Sequence, residues 1–120
     1  MELADLITAA TGLLRLPERE ILFSEGEAAD VMYLLVDGRA ELLVQGQMIE
    51  VAQSGAFLGE LALIEPDQPR PMSVRALTDC RLSRIDADRF EEIVARHPQF
   101  AVDLMKVMAE RLRRARLQAA

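Results

Sequence analysis

Glycines recur at short intervals through the middle of the chain and limit what it can fold into. They separate short runs that are rich in Val, Ile, Leu and Met. The turn glycines are Gly26, Gly38, Gly46, Gly55 and Gly59. Turn residues repeated at such intervals favour an antiparallel sandwich or a small barrel. We therefore predict a β barrel over about residues 20–85.

Five of the runs between the turn residues have the length of a single strand. They are VMYLLV, AELLV, MIEVA, SVRAL and CRLSRI. The pair Gln45-Gly46 lies between the second and third of these runs, where a tight hairpin turn is expected. The central part of the chain therefore predicts a mainly β fold.

The two ends of the chain have helical spacing instead. Apolar residues recur at helical intervals over about residues 2–15, and Pro17 marks where that helix must have stopped. A second helix is predicted over about 87–97 and a third over about 98–117, because His97-Pro98 ends one helix and starts the next. The expected order is helix, barrel and two helices, in a single domain spanning 1–120.

The overall composition excludes several classes of function. The chain has 120 residues and a formal net charge of -6, which disfavours binding to nucleic acid or anionic lipid. Its single cysteine, Cys80, cannot form an internal disulfide, and its single histidine leaves no cluster for a metal. For that reason we expect the protein to hold no metal. No secretory signal or membrane-spanning run is evident, so we also expect a cytoplasmic protein.

The last predicted helix carries two adjacent apolar lines. The first consists of Phe100, Leu104 and Val107, and the second of Ala101, Met105, Met108, Leu112 and Ala115. The second line has the alternating spacing of a coiled-coil seam. Two interpretations stay open: the helix is partly buried on its own domain, or it forms a homodimer contact.

One loop combines the residue types that bind a phosphorylated sugar. Gly59 allows a backbone turn, and the following ELALI run is predicted to form one short helical turn. Arg70 follows a loop with two prolines, and its fork of donors matches a phosphate or a carboxylate. Glu60 supplies an acceptor suited to a sugar hydroxyl. Together the two side chains could hold a sugar and its phosphate.

The same loop resembles the phosphate-binding cassette of cyclic nucleotide-binding domains. The matching residues are G-E-L-A-L at 59–63, P-R at 69–70 and S-V-R-A at 73–76. The upstream run ILFSEGEAADVMYLLVDG at 21–38 is also similar to the family, and the resemblance extends from about Leu16 to Arg114. The family includes the bacterial catabolite activator, regulatory subunits of cAMP-dependent protein kinase and gated ion channels.

The resemblance implies a jelly-roll barrel and a set of ligand contacts. Arg70 would pair with the cyclic phosphate of cAMP, or of cGMP, and Glu60 would accept from the ribose 2′-OH. Backbone donors around Leu61 and Ala62 would complete the phosphate site, and Ser73 would lie near the phosphate or the base. Ligand binding would then shift the C-terminal helix, which would make the domain a non-catalytic regulatory module.

The chain departs from the family pattern at two places. Pro71 follows the arginine where alanine or serine is common, and proline has no N–H to offer the phosphate. The helix expected to cap the base carries Ala115 and Arg116 in place of hydroxyl side chains, so the choice between adenine and guanine is open.

These departures keep a second hypothesis open. A degenerate domain of the same fold would bind no nucleotide, would let Glu60 and Arg70 pair with each other, and would dimerise or bind a protein through its last helix. An enzyme is not expected, because the barrel lacks a histidine cluster. Direct DNA binding is not expected either, and the output is assigned to an unidentified effector protein or a fused domain.

Overall fold

The structure is a computed structural model that describes residues 5, 7–9 and 12–119, with side chains up to residue 116. It divides into two compact units, the first ending at Ala87 and the second beginning at Asp88. The first unit contains all the strands and the second contains two helices.

Eight antiparallel strands form the first unit. They are β1 (Leu14–Leu16), β2 (Ile21–Phe23), β3 (Val31–Asp37), β4 (Ala40–Val44), β5 (Gln47–Ala52), β6 (Phe57–Leu58), β7 (Ser73–Ala76) and β8 (Cys80–Asp86). One four-stranded sheet has the order β1-β8-β3-β6 and the other has the order β2-β7-β4-β5. A short helix, α1 (Leu61–Ile64), follows β6. The predicted mainly β fold with flanking helices is confirmed.

The core of this unit lies between inward-facing apolar side chains of both sheets. Its fully buried members include Leu35, Leu42, Leu58, Val74 and Leu82. In β7 the alternate residues Val74 and Ala76 are buried, the pattern of a strand with one face on the core, whereas β3 buries consecutive apolar residues.

The β4–β5 hairpin turns at Gln45-Gly46, as predicted. Gln45 has φ 52° and Gly46 has φ 78°. Two consecutive positive φ angles are typical of the tight turn whose twist matches the flanking strands. The turn therefore fixes the pairing of Val44 with Gln47.

The predicted N-terminal helix over residues 2–15 is wrong at its end. Leu14–Leu16 form strand β1, which pairs with Cys80–Leu82 of β8. Residues 5 and 7–9 are helical, and residues 2–4, 6, 10 and 11 lie outside the described part of the chain. The backbone turns at Gly12, which has φ 77° and donates its N–H to the Thr8 carbonyl at 2.8 Å. A glycine in this conformation commonly ends a helix, so Gly12 and not Pro17 sets the boundary.

The second unit contains α2 (Ala87–Arg96) and α3 (Pro98–Ala119). The predicted break at His97-Pro98 is confirmed: the His97 N–H donates to the Ile93 carbonyl at 2.7 Å, and Pro98 opens α3. Phe90 and Phe100 pack edge to face, with ring centroids 5.8 Å apart. The first apolar line of α3 contains its buried residues, Phe100 and Leu104.

Two features are absent from the described part of the chain, a membrane-spanning helix and a metal-binding cluster. No helix there is long and apolar enough to cross a membrane. Within the same residues, no group of three or more His, Cys, Asp and Glu side chains is placed to hold a metal ion.

Candidate functional site

The glycine turn predicted to bind phosphate lies directly after β6. Gly59 has φ 73°, a conformation that glycine adopts without strain. Its carbonyl accepts the Ala62 N–H at 3.2 Å, and the Glu60 carbonyl accepts the Leu63 N–H at 3.1 Å. These bonds wind the chain into α1, which confirms the predicted helical turn. The Ala62 N–H, one of the expected phosphate donors, is engaged in this turn.

Backbone hydrogen bonds hold Arg70 against a second loop. The Arg70 N–H donates to the Glu27 carbonyl at 2.9 Å, and the Gly26 N–H donates to the Arg70 carbonyl at 2.9 Å. This two-way pairing fixes the backbone from which the Arg70 side chain departs. The long loop after α1 is thereby anchored at its far end, just before β7.

The Arg70 side chain is buried, with only 6% of the residue exposed. Its Nη1 donates to the Gly59 carbonyl at 3.3 Å, and its Nη2 donates to the Val31 carbonyl at 2.9 Å. The guanidinium carbon lies 3.9 Å from the centroid of the Phe23 ring. The Nε atom is buried and has no hydrogen-bond partner. Arginine buried without a carboxylate partner is rare, because its charge is costly to desolvate.

Burial lowers the pKa of the Arg70 guanidinium, while the nearby Tyr33, Glu27, Asp30 and Glu60 raise it in part. Burial is the larger of these influences on the pKa of Arg70. Among the described residues, the ion pairs involve other arginines and none includes Arg70. The ion pairs of the described residues therefore do not include one between Arg70 and Glu60, which the degenerate-domain hypothesis allows.

Glu60 is also buried, with 5% of the residue exposed. It precedes α1 and its side chain does not cap that helix. Two buried charged side chains, Glu60 and Arg70, therefore lie at the start and near the end of this loop.

The missing side chain of Gly59 makes room for Arg70. A Cβ at this position would clash with Arg70 Nη1 and would lie 3.2 Å from two atoms of the Phe23 ring. The guanidinium thus occupies the space between the Gly59 backbone and the Phe23 ring. Any other residue at position 59 would displace it.

The two remaining predicted residues differ in their surroundings. Pro71 is exposed, and its missing N–H leaves that loop position without a donor. The Ser73 hydroxyl accepts the Glu25 N–H at 2.9 Å, which ties the start of β7 to the loop after β2. This hydrogen bond gives Ser73 a structural role and leaves its hydroxyl proton available to a ligand.

Sequence reasoning did not find two contacts of Arg70, the Phe23 ring and the Val31 carbonyl. Phe23 belongs to β2, which pairs with β7 shortly after Arg70 in the chain. The available signal is the aromatic residue in ILF, which begins the upstream run that is similar to the family. A backbone carbonyl such as that of Val31 leaves no sequence signal.

A family model described as the cyclic nucleotide-binding domain matches residues 13–97. The chain belongs to this family. The match spans all eight strands, the glycine turn and Arg70.

Relatives of this cyclic nucleotide-binding domain include regulators from bacteria and fungi. The cAMP-activated global transcriptional regulator CRP of Salmonella typhimurium is 31% identical over 101 residues, which cover 80% of this chain and 48% of that protein. The cAMP-dependent protein kinase regulatory subunit of Emericella nidulans is 33% identical over 90 residues, covering 73% of this chain and 22% of that protein. The chain thus spans about half the length of the bacterial relative and a smaller part of the fungal one.

The crystal structure of the Thermus thermophilus catabolite activator protein has the same fold. It superposes with a TM-score of 0.81 at 25% identity, covering 97% of this chain and 56% of that chain. The predicted jelly-roll barrel of the cyclic nucleotide-binding domain is confirmed.

Proposed function

We propose that the domain binds a cyclic nucleotide, with cAMP as the first candidate and cGMP as the second. The observation that carries the proposal is Arg70, a buried cation with an unpartnered Nε and no carboxylate partner. Such a group is stabilised by an anion, and a phosphate matches the fork of guanidinium donors.

Each predicted site residue has a part in this proposal. Arg70 binds the cyclic phosphate, and the turn at Gly59, Leu61 and Ala62 brings backbone close to it. Glu60 accepts a hydrogen bond from the ribose 2′-OH, because a carboxylate oxygen is an acceptor and the family resemblance assigns this position to the sugar. Ser73 donates its free hydroxyl proton toward the ligand.

Pro71 makes this site weaker than one that has an N–H at the same place. A hydrogen bond to a charged group contributes about 1.5 to 3 kcal/mol net. Its loss corresponds to about a ten- to hundredfold higher dissociation constant. We therefore propose a working site of reduced affinity, and not an empty one.

The output of the module is proposed to pass through α2 and α3, without catalysis. Ligand binding changes the position or the mobility of these helices, and an effector protein or a fused domain senses the change. Hydrogen exchange in residues 88–119, measured with and without cAMP, tests this point. Equal exchange in both conditions would rule it out.

A second candidate function is an interaction module that dimerises through α3 without nucleotide. Two observations favour it: Pro71 lacks a donor, and Met105 and Leu112 of the second apolar line are 59% and 62% exposed. The two functions are compatible if the dimer is also the state that responds to ligand.

Thermal unfolding with a panel of nucleotides tests the proposal. A ligand that binds only the folded state stabilises it by about 2.7 kcal/mol at a hundred times its dissociation constant. We expect cAMP or cGMP to raise the melting temperature and 5′-AMP, which lacks the cyclic phosphate, to do so much less. The Glu60→Gln variant should show a smaller shift. No shift with either cyclic nucleotide at millimolar concentration would favour the interaction module.

A further inference from the structure

The Phe23 ring makes two contacts beyond its packing in the hydrophobic core. Its ring lies under the Arg70 guanidinium at 3.9 Å, well inside the range of a cation–π contact. It also stacks on Tyr33, with centroids 6.2 Å apart and ring planes at 24°.

The arrangement of these groups leaves the guanidinium little freedom. The Phe23 ring covers one side of it, while the Gly59 and Val31 carbonyls accept from its two terminal nitrogens. The cost of burying the charge is offset in part by the ring face, whose negative potential attracts a cation more strongly in a desolvated site. An aliphatic side chain of similar size would fill the space and would not provide this attraction.

The geometry points to Phe23 as the positioning residue of the anion site: its ring face holds the Arg70 guanidinium against the Gly59 turn before a ligand arrives. Arg70 then binds an anion without first being ordered, which lowers the entropic cost of association. The effect on affinity rests on the proposed function, whereas the positioning itself does not.

Two kinds of substitution distinguish the effect of the electrostatic potential of the ring from the effect of the volume that the ring fills. Replacing Phe23 with mono-, di- and trifluorinated phenylalanine keeps the shape and progressively weakens the ring potential. Phe23→Leu removes the ring and keeps an apolar side chain. Tyr33→Phe, which retains the stacked ring, and Leu82→Val, a change elsewhere in the same core cluster, are the matched controls.

The first measurement needs no ligand. In ¹H–¹⁵N spectra, the Arg70 Nε–H of the wild type should be a single sharp signal, shifted upfield by the ring current of Phe23. In Phe23→Leu the upfield shift should vanish and the signal should broaden, while both controls retain it. An unshifted wild-type signal, or one unchanged by Phe23→Leu, would overturn the inference.

The second measurement is the affinity for cAMP by calorimetric titration. We expect Phe23→Leu to bind about three- to tenfold more weakly, which corresponds to ordering one long side chain on binding. The affinities of the fluorinated series should fall stepwise between those of the wild type and Phe23→Leu. Equal affinities across the series would contradict the inference. If the wild type binds no cyclic nucleotide, the proposed function fails and the spectra alone decide on Phe23.

Discussion

Arg70 shows how a single side chain can indicate a site before any ligand is seen. Its burial, its unpartnered Nε and the lack of an ion pair would destabilise a domain with no use for the charge. Both terminal nitrogens donate to backbone carbonyls, which support the cation without neutralising it. These surroundings support the proposal that Arg70 binds an anion.

Pro71 is the residue at which a single substitution should improve binding. Restoring the N–H with Pro71→Ala is expected to lower the dissociation constant for cAMP about ten- to hundredfold, by one charged hydrogen bond. Pro69→Ala, which lies on the other side of Arg70, is the control for loosening the loop. Calorimetric titration of both variants measures the effect. Unchanged affinity in Pro71→Ala would show that the missing N–H does not limit binding.

The sequence was sufficient to propose Gly59, Glu60 and Arg70 as site residues, because they lie in one loop with recognisable chemistry. It was not sufficient to predict their packing. Phe23 meets Arg70 only because β2 pairs with β7, with Phe23 opposite Val74. Pairing between strands so distant in the chain is decided by the whole sheet and not by local composition.

At the level of elements, the turn after β6 depends on two properties of Gly59. Gly59 has a positive φ and also leaves space for the guanidinium. Gly55 has φ 95°, but a Cβ there would meet nothing within 4 Å. Substituting Gly59 and Gly55 separately therefore distinguishes the effect of backbone strain from the effect of displacing Arg70.

Gly59→Ala is expected to abolish cAMP binding, while Gly55→Ala keeps it. Both variants should lose stability, by about 1–2 kcal/mol, for placing a Cβ in a left-handed conformation. Only the first also pushes Arg70 Nη1 away from its position. Urea unfolding and titration with cAMP on each variant measure the two effects. Wild-type affinity in Gly59→Ala would show that the present position of Arg70 is not needed.

The N-terminal region shows why one element was predicted wrongly. Helical spacing of apolar residues continues through Leu14. Pairing with β8 nevertheless stabilises Leu14–Leu16 as a strand more than a helix would. The bonds of that strand depend on residues far along the chain, whereas the helical pattern is local. By contrast, the break at His97-Pro98 is a local property of proline and was predicted correctly.

At the level of the whole molecule, the exposed line on α3 predicts self-association. A Met105→Glu, Leu112→Glu double variant should be monomeric at concentrations where the wild type is dimeric, because it places charges in an apolar seam. Gln99→Glu, an added charge on the same helix outside the two lines, should leave the dimer intact. Sedimentation equilibrium measures both. A wild type that is monomeric at all accessible concentrations would contradict the predicted dimer.

The central claim is that the domain binds a cyclic nucleotide through Arg70. The most direct test is calorimetric titration with cAMP of the wild type, Arg70→Lys and the control Arg75→Lys, whose arginine pairs with Glu41 on the neighbouring strand. We predict saturable binding to the wild type and to Arg75→Lys. Arg70→Lys should bind at least about tenfold more weakly, because lysine cannot present the fork of donors. Equal affinity of Arg70→Lys and wild type, or no binding to any of the three, would contradict the account.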